Sequence, residues 1–151
     1  MSGIDSFFTL RKDLVNYSRS AKEQRLADKQ FATFGHPAEK GEIYGFSQAV
    51  RTADTIYVAG QTASDPAGDM ETQMRQAYEG IEAALSQLDA TMADVVEETL
   101  FVTDMPAAVE CAARVRSEVF KGRFEMASSL VGTTGLGSPD LLIEIKCVAR
   151  V

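Results

Sequence analysis

The sequence predicts a two-layer α+β sandwich, in which a mixed β-sheet carries two helices on one face. Three observations predict this fold: strand-like alternation of side chains, two amphipathic helical stripes, and the order β, β, α, β, α, β, β along the chain. The chain has 151 residues, which suits one domain, and 45% of them are apolar, which is enough to build a core.

The clearest strand is "DLLIEIKCVARV", residues 140–151, whose side chains alternate with a period of two. One face is apolar throughout and consists of Leu141, Ile143, Ile145, Cys147, Ala149 and Val151. Glu144 lies on the other face, between Leu142 and Lys146. A carboxylate at such a position is either solvated on the outside of the sheet or held in a cleft for chemistry.

The remaining strands are read from shorter segments. "YGFSQAVRT" and "TIYVAGQTA" are predicted to form a hairpin through the turn-rich "RTADT". "DVVEETLFVTD" alternates again and is predicted to place Val96, Glu98, Leu100 and Val102 on one face. "EMASSLV" is predicted to be a strand, and "GTTGLGSPD" is predicted to be a loop that leads into the strand of Glu144.

Each of the two helices is marked by an aspartate cap and an apolar stripe. Asp69 and Asp104 are predicted N-caps, Pro106 falls in the first turn of the second helix, and Gly122 is placed to end it. The first stripe consists of Met74, Ala77, Ile81, Ala84, Leu85 and Leu88. The second stripe consists of Ala108, Cys111 or Ala112, Val115 and Val119.

The connections between these elements place both helices on one side of the sheet. A strand–helix–strand segment favours a right-handed crossover between parallel strands. The opposite sheet face, which carries Leu142 and Val148, then has no helix to cover it. An apolar face without a cover predicts an oligomer.

Residues 1–43 differ from the rest of the chain and are predicted to form a partly helical N-terminal arm, followed by the main domain at 44–151. A helical stripe comprises Phe7, Leu10, Leu14 and Tyr17. This stripe suits a helix that docks a partner or covers a site, and it suits equally a helix that packs on exposed apolar surface.

Composition and motifs exclude several classes of function. The net charge of −7 disfavours nucleic acid and anionic membrane surfaces as partners. The sequence contains no P-loop, no dinucleotide fingerprint and no zinc-ligand spacing, and neither a membrane span nor a secretory leader is expected from its apolar runs. Cys111 and Cys147 are predicted to be buried thiols of a cytoplasmic protein. His36 stands alone in a loop, without a catalytic triad.

Three segments resemble the RidA/YjgF family of small enamine and imine deaminases. They are "YGFSQAVRTADTIYVAGQ", "DVVEETLFVTDM" and "LLIEIKCVARV", and they extend over residues 44–151. The resemblance implies a chorismate-mutase-like fold and a homotrimer with a cleft at each subunit interface. It implies a small-molecule metabolite as substrate, and neither a metal nor an organic cofactor.

The resemblance also implies a set of site residues. Glu144 matches the acidic residue of the family that faces the cleft and orients a hydrolytic water. The position of the substrate-clamping arginine corresponds to Ser128 in "MASSLV". A serine cannot supply the two charge-assisted hydrogen bonds of a guanidinium. The substrate-binding residues implied by the match are Phe46, Gly60, Gln61, Ser128, Ser129 and Leu130.

Two readings of the function follow. The first is a hydrolase that deaminates reactive enamines, imines or related aminated metabolites, with Glu144 as its base. Arg51 or Arg123 would then supply the missing charge. The second is a non-catalytic trimer that binds a small molecule in the same cleft. A ribonuclease is disfavoured, because the chain is acidic and its one histidine lies in a loop.

Overall fold

The computed structural model describes residues 28–32 and 45–151 of the chain. The helix predicted in the arm and His36 lie outside the described residues. These described ranges contain six strands and two helices, with a short 3₁₀ turn at Met92–Asp94. The strands are β1 (Lys29–Ala32), β2 (Ala49–Thr52), β3 (Thr55–Thr62), β4 (Val95–Val102), β5 (Ala127–Gly132) and β6 (Ile143–Arg150). The helices are α1 (Met70–Ser86) and α2 (Met105–Val119).

The strands form one mixed sheet in the order β1-β2-β3-β6-β4-β5. Strand β6 lies between β3 and β4 and is antiparallel to both, so β3 and β4 run parallel with β6 between them. Strands β4 and β5 are directly paired and parallel. A mixed sheet with two helices on one face is the predicted fold class, which is therefore confirmed.

The caps of both helices confirm the predictions from the sequence. Asp69 accepts a hydrogen bond from the Thr72 N–H at 2.9 Å, and Asp104 accepts one from the Ala107 N–H at 3.1 Å. Pro106 lies in the first turn of α2. Beyond the end of α2, Gly122 adopts a φ of +72°, which glycine tolerates without strain, and its N–H reaches the carbonyl of Ser117.

The core lies between the helices and one face of the sheet. Ile143, Ile145, Cys147 and Ala149 of the apolar face predicted for the last strand are buried there, whereas Leu141 is half-buried and Val151 is exposed. The six residues of the first helical stripe are buried as well. The two helices contact each other as well as the sheet. Burial of this continuous apolar surface is the main force that holds the two layers together.

The structure departs from the predictions at two strands. Strand β1 lies within the predicted arm and was not foreseen, since only Ala32 of its four residues is buried. In β4 the register shifts between Val95 and Glu97, as expected for a β-bulge. Val95 is consequently buried and Val96 is exposed, so the prediction that Val96 shares a face with Leu100 was wrong.

The sheet face away from α1 and α2, called the outer face below, carries apolar side chains in contact with solvent. Phe31, Tyr57 and Val131 are its exposed large apolar residues. Val148 is half-buried on the same face. Leu142 precedes β6 and packs against the core, contrary to the prediction that it lies on the open face. None of the helices in the described part of the chain is long and apolar enough to cross a membrane.

Candidate functional site

The candidate site lies on the outer face and centres on Glu144. Strand β6 holds Glu144 at the middle of the sheet, in register with Thr62 on β3 and Phe101 on β4. The alternation of β6 turns Ile143 and Ile145 into the core and Glu144 away from it. The side chain is half-buried, because strands flank it on both sides.

Gly60 shapes the surface beneath the Glu144 carboxylate. The register between β3 and β6 shifts between Val58 and Gln61, so Ala59 and Gly60 form an irregularity opposite β6. A Cβ atom placed on Gly60 would lie 1.8 Å from Oε1 of Glu144 and 2.8 Å from its Cγ. The carboxylate therefore occupies the space that any other residue at position 60 would need.

A second set of polar groups lies beside Glu144 on the outer face. Lys146 is in register with Thr99 on β4, and Thr99 is in register with Ser129 on β5. These three residues form a row across the sheet, and this row lies two positions along β6 from Glu144. The Thr99 hydroxyl donates to Oε1 of Glu97 at 3.3 Å, and Ser129 is exposed. The outer face thus combines a carboxylate, an ammonium group and hydroxyl groups.

Ser128 faces the opposite side of the sheet. It is in register with Glu98, and its Oγ donates to Oε1 of that buried carboxylate at 2.8 Å. Arg116 on α2 donates from Nη2 to the same Oγ at 2.6 Å. A long side chain at position 128 would therefore point toward the helices, whereas one at position 129 would point to the side of Glu144.

A group of polar side chains surrounds the buried Glu98 carboxylate and is called the Glu98 cluster below; its members are Tyr78, Glu98, Arg116 and Ser128. Glu98 is 1% exposed, and its Oε1 lies 2.8 Å from Nε of Arg116. The Tyr78 hydroxyl donates to its Oε2 at 2.8 Å. Burial, and secondly the Glu98 charge, raise the pKa of Tyr78 above its ordinary value, so Tyr78 stays a donor. The cluster joins α1, α2, β4 and β5.

The Glu98 cluster was not predicted, although one sign of it was present in the sequence. Glu98 alternates with Leu100 and Val102, which places a charge on the apolar face of a strand. A charge on such a face must have a partner, because an isolated buried carboxylate is costly. The partner, Arg116, lies on α2, whereas Glu98 lies on β4. No local sequence pattern indicates that these two residues form a pair.

The other residues predicted to bind substrate are placed as follows. The Gln61 side chain faces α1, where a Cβ on Gly80 would lie 3.2 Å from its Oε1, and it donates to Oε1 of Gln48 at 2.8 Å. Leu130 shares a face with Leu100 and packs against the core. Phe46 precedes β2 and is 53% exposed.

Neither arginine considered as a replacement clamp contacts the outer face of the chain. Arg51 shares a face with Ile56, and its Nη1 donates to the carbonyl oxygen of Leu88 at 2.8 Å. Arg123 pairs with Glu125 at 3.1 Å. Arg123 lines a cavity of about 340 Å³ at the ends of the two helices, on the core side of the sheet.

The described residues contain neither a reactive thiol nor a group of metal ligands apart from the outer-face site. Burial, and then the nearby Glu98 charge, raise the pKa of Cys147 to about 12, and burial raises the pKa of Cys111. Both thiols are therefore protonated at neutral pH. Within the described ranges, no group of three or more His, Cys, Asp or Glu side chains is arranged to hold a metal ion.

The fold and the acidic residue on the outer face define a chorismate-mutase-like α+β domain with a polar site on its open sheet face. The chain belongs to the RidA/YjgF family, whose model, described as "Endoribonuclease L-PSP", matches residues 38–151. The resemblance noted in the sequence is thereby confirmed as membership of the family.

Individual relatives support the same assignment. The RutC family protein YjgH of Escherichia coli is 31% identical over 122 residues, which cover 76% of this chain and 92% of that protein. The structure of Rv2704 from Mycobacterium tuberculosis, of the YjgF/YER057c/UK114 family, matches with a TM-score of 0.73 and 36% identity, covering 82% of this chain and 99% of that one. YyfA from Yersinia pestis, a Rid family protein of unknown function, matches with a TM-score of 0.65 and 26% identity, covering 82% and 99%.

Proposed function

We propose that the protein is a cytoplasmic hydrolase that deaminates reactive enamines, imines or related aminated metabolites, with Glu144 as its general base. The observation that carries the proposal is the position of the Glu144 carboxylate over Gly60, half-buried on the outer face. A carboxylate that lies against a glycine on an open sheet face can be approached by a small substrate and a water molecule.

The proposed reaction is hydrolysis of a carbon–nitrogen double bond. Glu144 accepts a proton from water as the water oxygen attacks the imine carbon. Glu144 then gives that proton to the nitrogen, which yields a carbinolamine. The hydroxyl proton of the carbinolamine passes to the nitrogen by way of Glu144, the carbon–nitrogen bond breaks, and ammonia leaves while the carbon becomes a carbonyl. An enamine first takes a proton at carbon to become the imine. The Ser129 hydroxyl and the Gly60 backbone lie on the same face and can orient the substrate.

We propose further that the active form is a homotrimer whose outer faces meet around these sites. The support is the exposed apolar surface of the outer face, where Phe31 and Tyr57 are more than half exposed in one chain. Sedimentation equilibrium should give three times the mass of one chain. A monomer mass at micromolar concentration would contradict the trimer.

A turnover assay tests the proposed reaction. An amino acid oxidase generates imines in place from acidic and neutral amino acids, and release of ammonia is followed with the wild-type protein, with Glu144→Gln and with no protein. We expect the wild type to accelerate release and Glu144→Gln to lose at least about 100-fold in rate, because a positioned base contributes about that much. Equal rates for the wild type and Glu144→Gln would exclude Glu144 as the base.

A trimer that binds a small molecule without reaction is the second candidate. The observation that favours it is the absence of a guanidinium group on the outer face near Glu144 among the described residues, since Arg51, Arg116 and Arg123 are bound elsewhere. Binding of a metabolite without any acceleration by the wild type would establish this second function. We do not propose the endoribonuclease activity for which the family model is named, because the net charge of −7 disfavours binding of a polyanion such as RNA.

A further inference from the structure

We propose that the cavity of about 340 Å³ at the ends of α1 and α2, called the helix-end cavity below, binds a free amino acid with an apolar side chain. The ammonium group of the ligand meets Glu82 on α1, and its carboxylate meets Lys121, which follows α2. This is a second binding site, apart from the outer face, and it does not depend on the proposed deaminase function.

The inner wall of the helix-end cavity is apolar. Its apolar side chains come from β4, from the end of α2 and from the segments beside them: Met92, Val95, Val119, Phe120 and Met126. The bulge in β4 turns Val95 toward this space, and the two methionines are flexible enough to fit side chains of different shape. Cavities that bind small molecules begin at about 300 Å³. The cavity therefore suits a small molecule with an apolar end.

Hydrogen bonds hold two walls of the helix-end cavity in place. The Thr91 N–H donates to Oδ2 of Asp94 at 2.8 Å, which fixes the 3₁₀ turn that carries Met92. On the other side, the Arg123 N–H donates to the carbonyl oxygen of Phe120 at 2.9 Å. A preformed site costs a ligand less ordering entropy than a site that must first assemble.

The mouth of the helix-end cavity carries two charges of each sign. Arg123 and Glu125 are paired with each other at 3.1 Å. Glu82 and Lys121 are exposed, and neither side chain has an ion pair or a hydrogen bond among the residues that the structure describes. A ligand with a single charge would leave one of these two groups without a partner. An ammonium group and a carboxylate on one molecule give each of them a charge-assisted hydrogen bond.

The backbone at Lys121 supports a role for this residue. Lys121 has a φ of +52°, a left-handed conformation that a residue with a Cβ atom adopts rarely, and Gly122 follows with +72°. Residues held in such conformations are concentrated at functional sites. Here the conformation places a lysine, rather than the usual glycine, directly beyond the end of α2, at the mouth of the cavity.

The helix-end cavity is remote from the outer-face site. Val95 is paired with Ala149, which lies five residues beyond Glu144 on β6, or about 17 Å along the strand. Val95 also faces the core, whereas Glu144 faces away from it. One small molecule cannot contact both residues, so binding in the cavity can be measured separately from catalysis.

The experiment compares L-leucine with two analogues, 4-methylpentanoate, which lacks the ammonium group, and 3-methylbutylamine, which lacks the carboxylate. Binding to the full chain is followed by calorimetry and by the NMR signals of the Met92 and Met126 methyl groups. L-Leucine should shift both signals, and each analogue should bind at least about 10-fold more weakly, as expected for one lost charged hydrogen bond.

Variants assign each charge of the ligand to its partner. Lys121→Met should weaken binding of L-leucine about 10-fold and leave that of 3-methylbutylamine unchanged, and Lys121→Arg should keep most of the affinity. Glu82→Gln should weaken L-leucine equally and leave 4-methylpentanoate unchanged. Glu79→Gln, one turn earlier on α1, and Glu144→Gln should both bind L-leucine as the wild type does.

Three results would overturn the proposal. The first is the absence of a shift of either methyl signal with L-leucine, L-valine or L-phenylalanine at tens of millimolar. The second is equal affinity for L-leucine and for one of its analogues, which would show that the site does not recognise both charges. The third is wild-type affinity for L-leucine in Lys121→Met or in Glu82→Gln.

Discussion

Replacement of Arg116 by methionine should lower the free energy of unfolding by about 3–5 kcal/mol, because it leaves the Glu98 carboxylate buried without its charge partner. Arg116 is 19% exposed and Glu98 1%, so the carboxylate itself has almost no contact with water in the folded protein. Tyr78 and Ser128 would still donate to the carboxylate, but neither carries a positive charge. Urea unfolding at one fixed protein concentration measures the change.

Arg114 provides the matched control for this prediction. It lies two residues before Arg116 on α2 and pairs with Glu71, but its side chain is 55% exposed. Arg114→Met should therefore cost at most about 1 kcal/mol. The double variant with Glu98→Gln and Arg116→Met should recover at least half of the loss, since no charge is left buried. A cost for Arg116→Met as small as that for Arg114→Met would show that the ion pair does not stabilise the fold.

Replacement of Gly60 by alanine should reduce turnover as strongly as Glu144→Gln, by at least about 100-fold. The new Cβ would lie within 2.8 Å of the carboxyl group and Cγ of Glu144, so the side chain must leave its present position. The end of a flexible side chain can move at little cost in stability. We therefore expect the circular dichroism spectrum to stay that of the wild type while ammonia release from imines is lost.

Two comparisons test whether the loss of turnover in Gly60→Ala comes from displacement of Glu144. Gly137→Ala is the control glycine, since a Cβ there meets no atom within 4 Å, and it should keep full activity. The double variant Gly60→Ala with Glu144→Gln should be no slower than either single variant, because both remove the same group from the site. Wild-type turnover in Gly60→Ala would mean that the reaction does not need the carboxylate in this position.

The parts of the fold that the sequence predicts are those with a strong local signal. Asp69 and Asp104 precede apolar helical stripes, and each caps its helix as expected. Strand β6 alternates over its whole length, which predicts that Glu144 lies away from the core. Such signals are local because each depends on residues only a few positions apart.

The parts that could not be predicted depend on single-residue shifts. The alternation that includes Val96 and Glu98 continues without a visible break, yet a bulge between Val95 and Glu97 reverses the face of Val96. Whether Ser128 or Ser129 faces Glu144 is likewise a choice of one residue. A shift of one residue moves a strand side chain to the other face, and a bulge leaves no mark in composition.

The position of β6 in the sheet has a consequence for how the protein folds. Strand β6 follows every other described strand along the chain, yet it lies between β3 and β4 and is the element that joins the two halves of the sheet. The two halves of the sheet cannot pair with each other before β6 is made and inserted between them. The long-range pairings of β6 therefore form late, and their formation carries a large entropic cost of loop closure. During synthesis one edge of the hairpin of β2 and β3 therefore stays unpaired until β6 has been made. The base that we propose for catalysis lies on β6, the strand that completes the sheet.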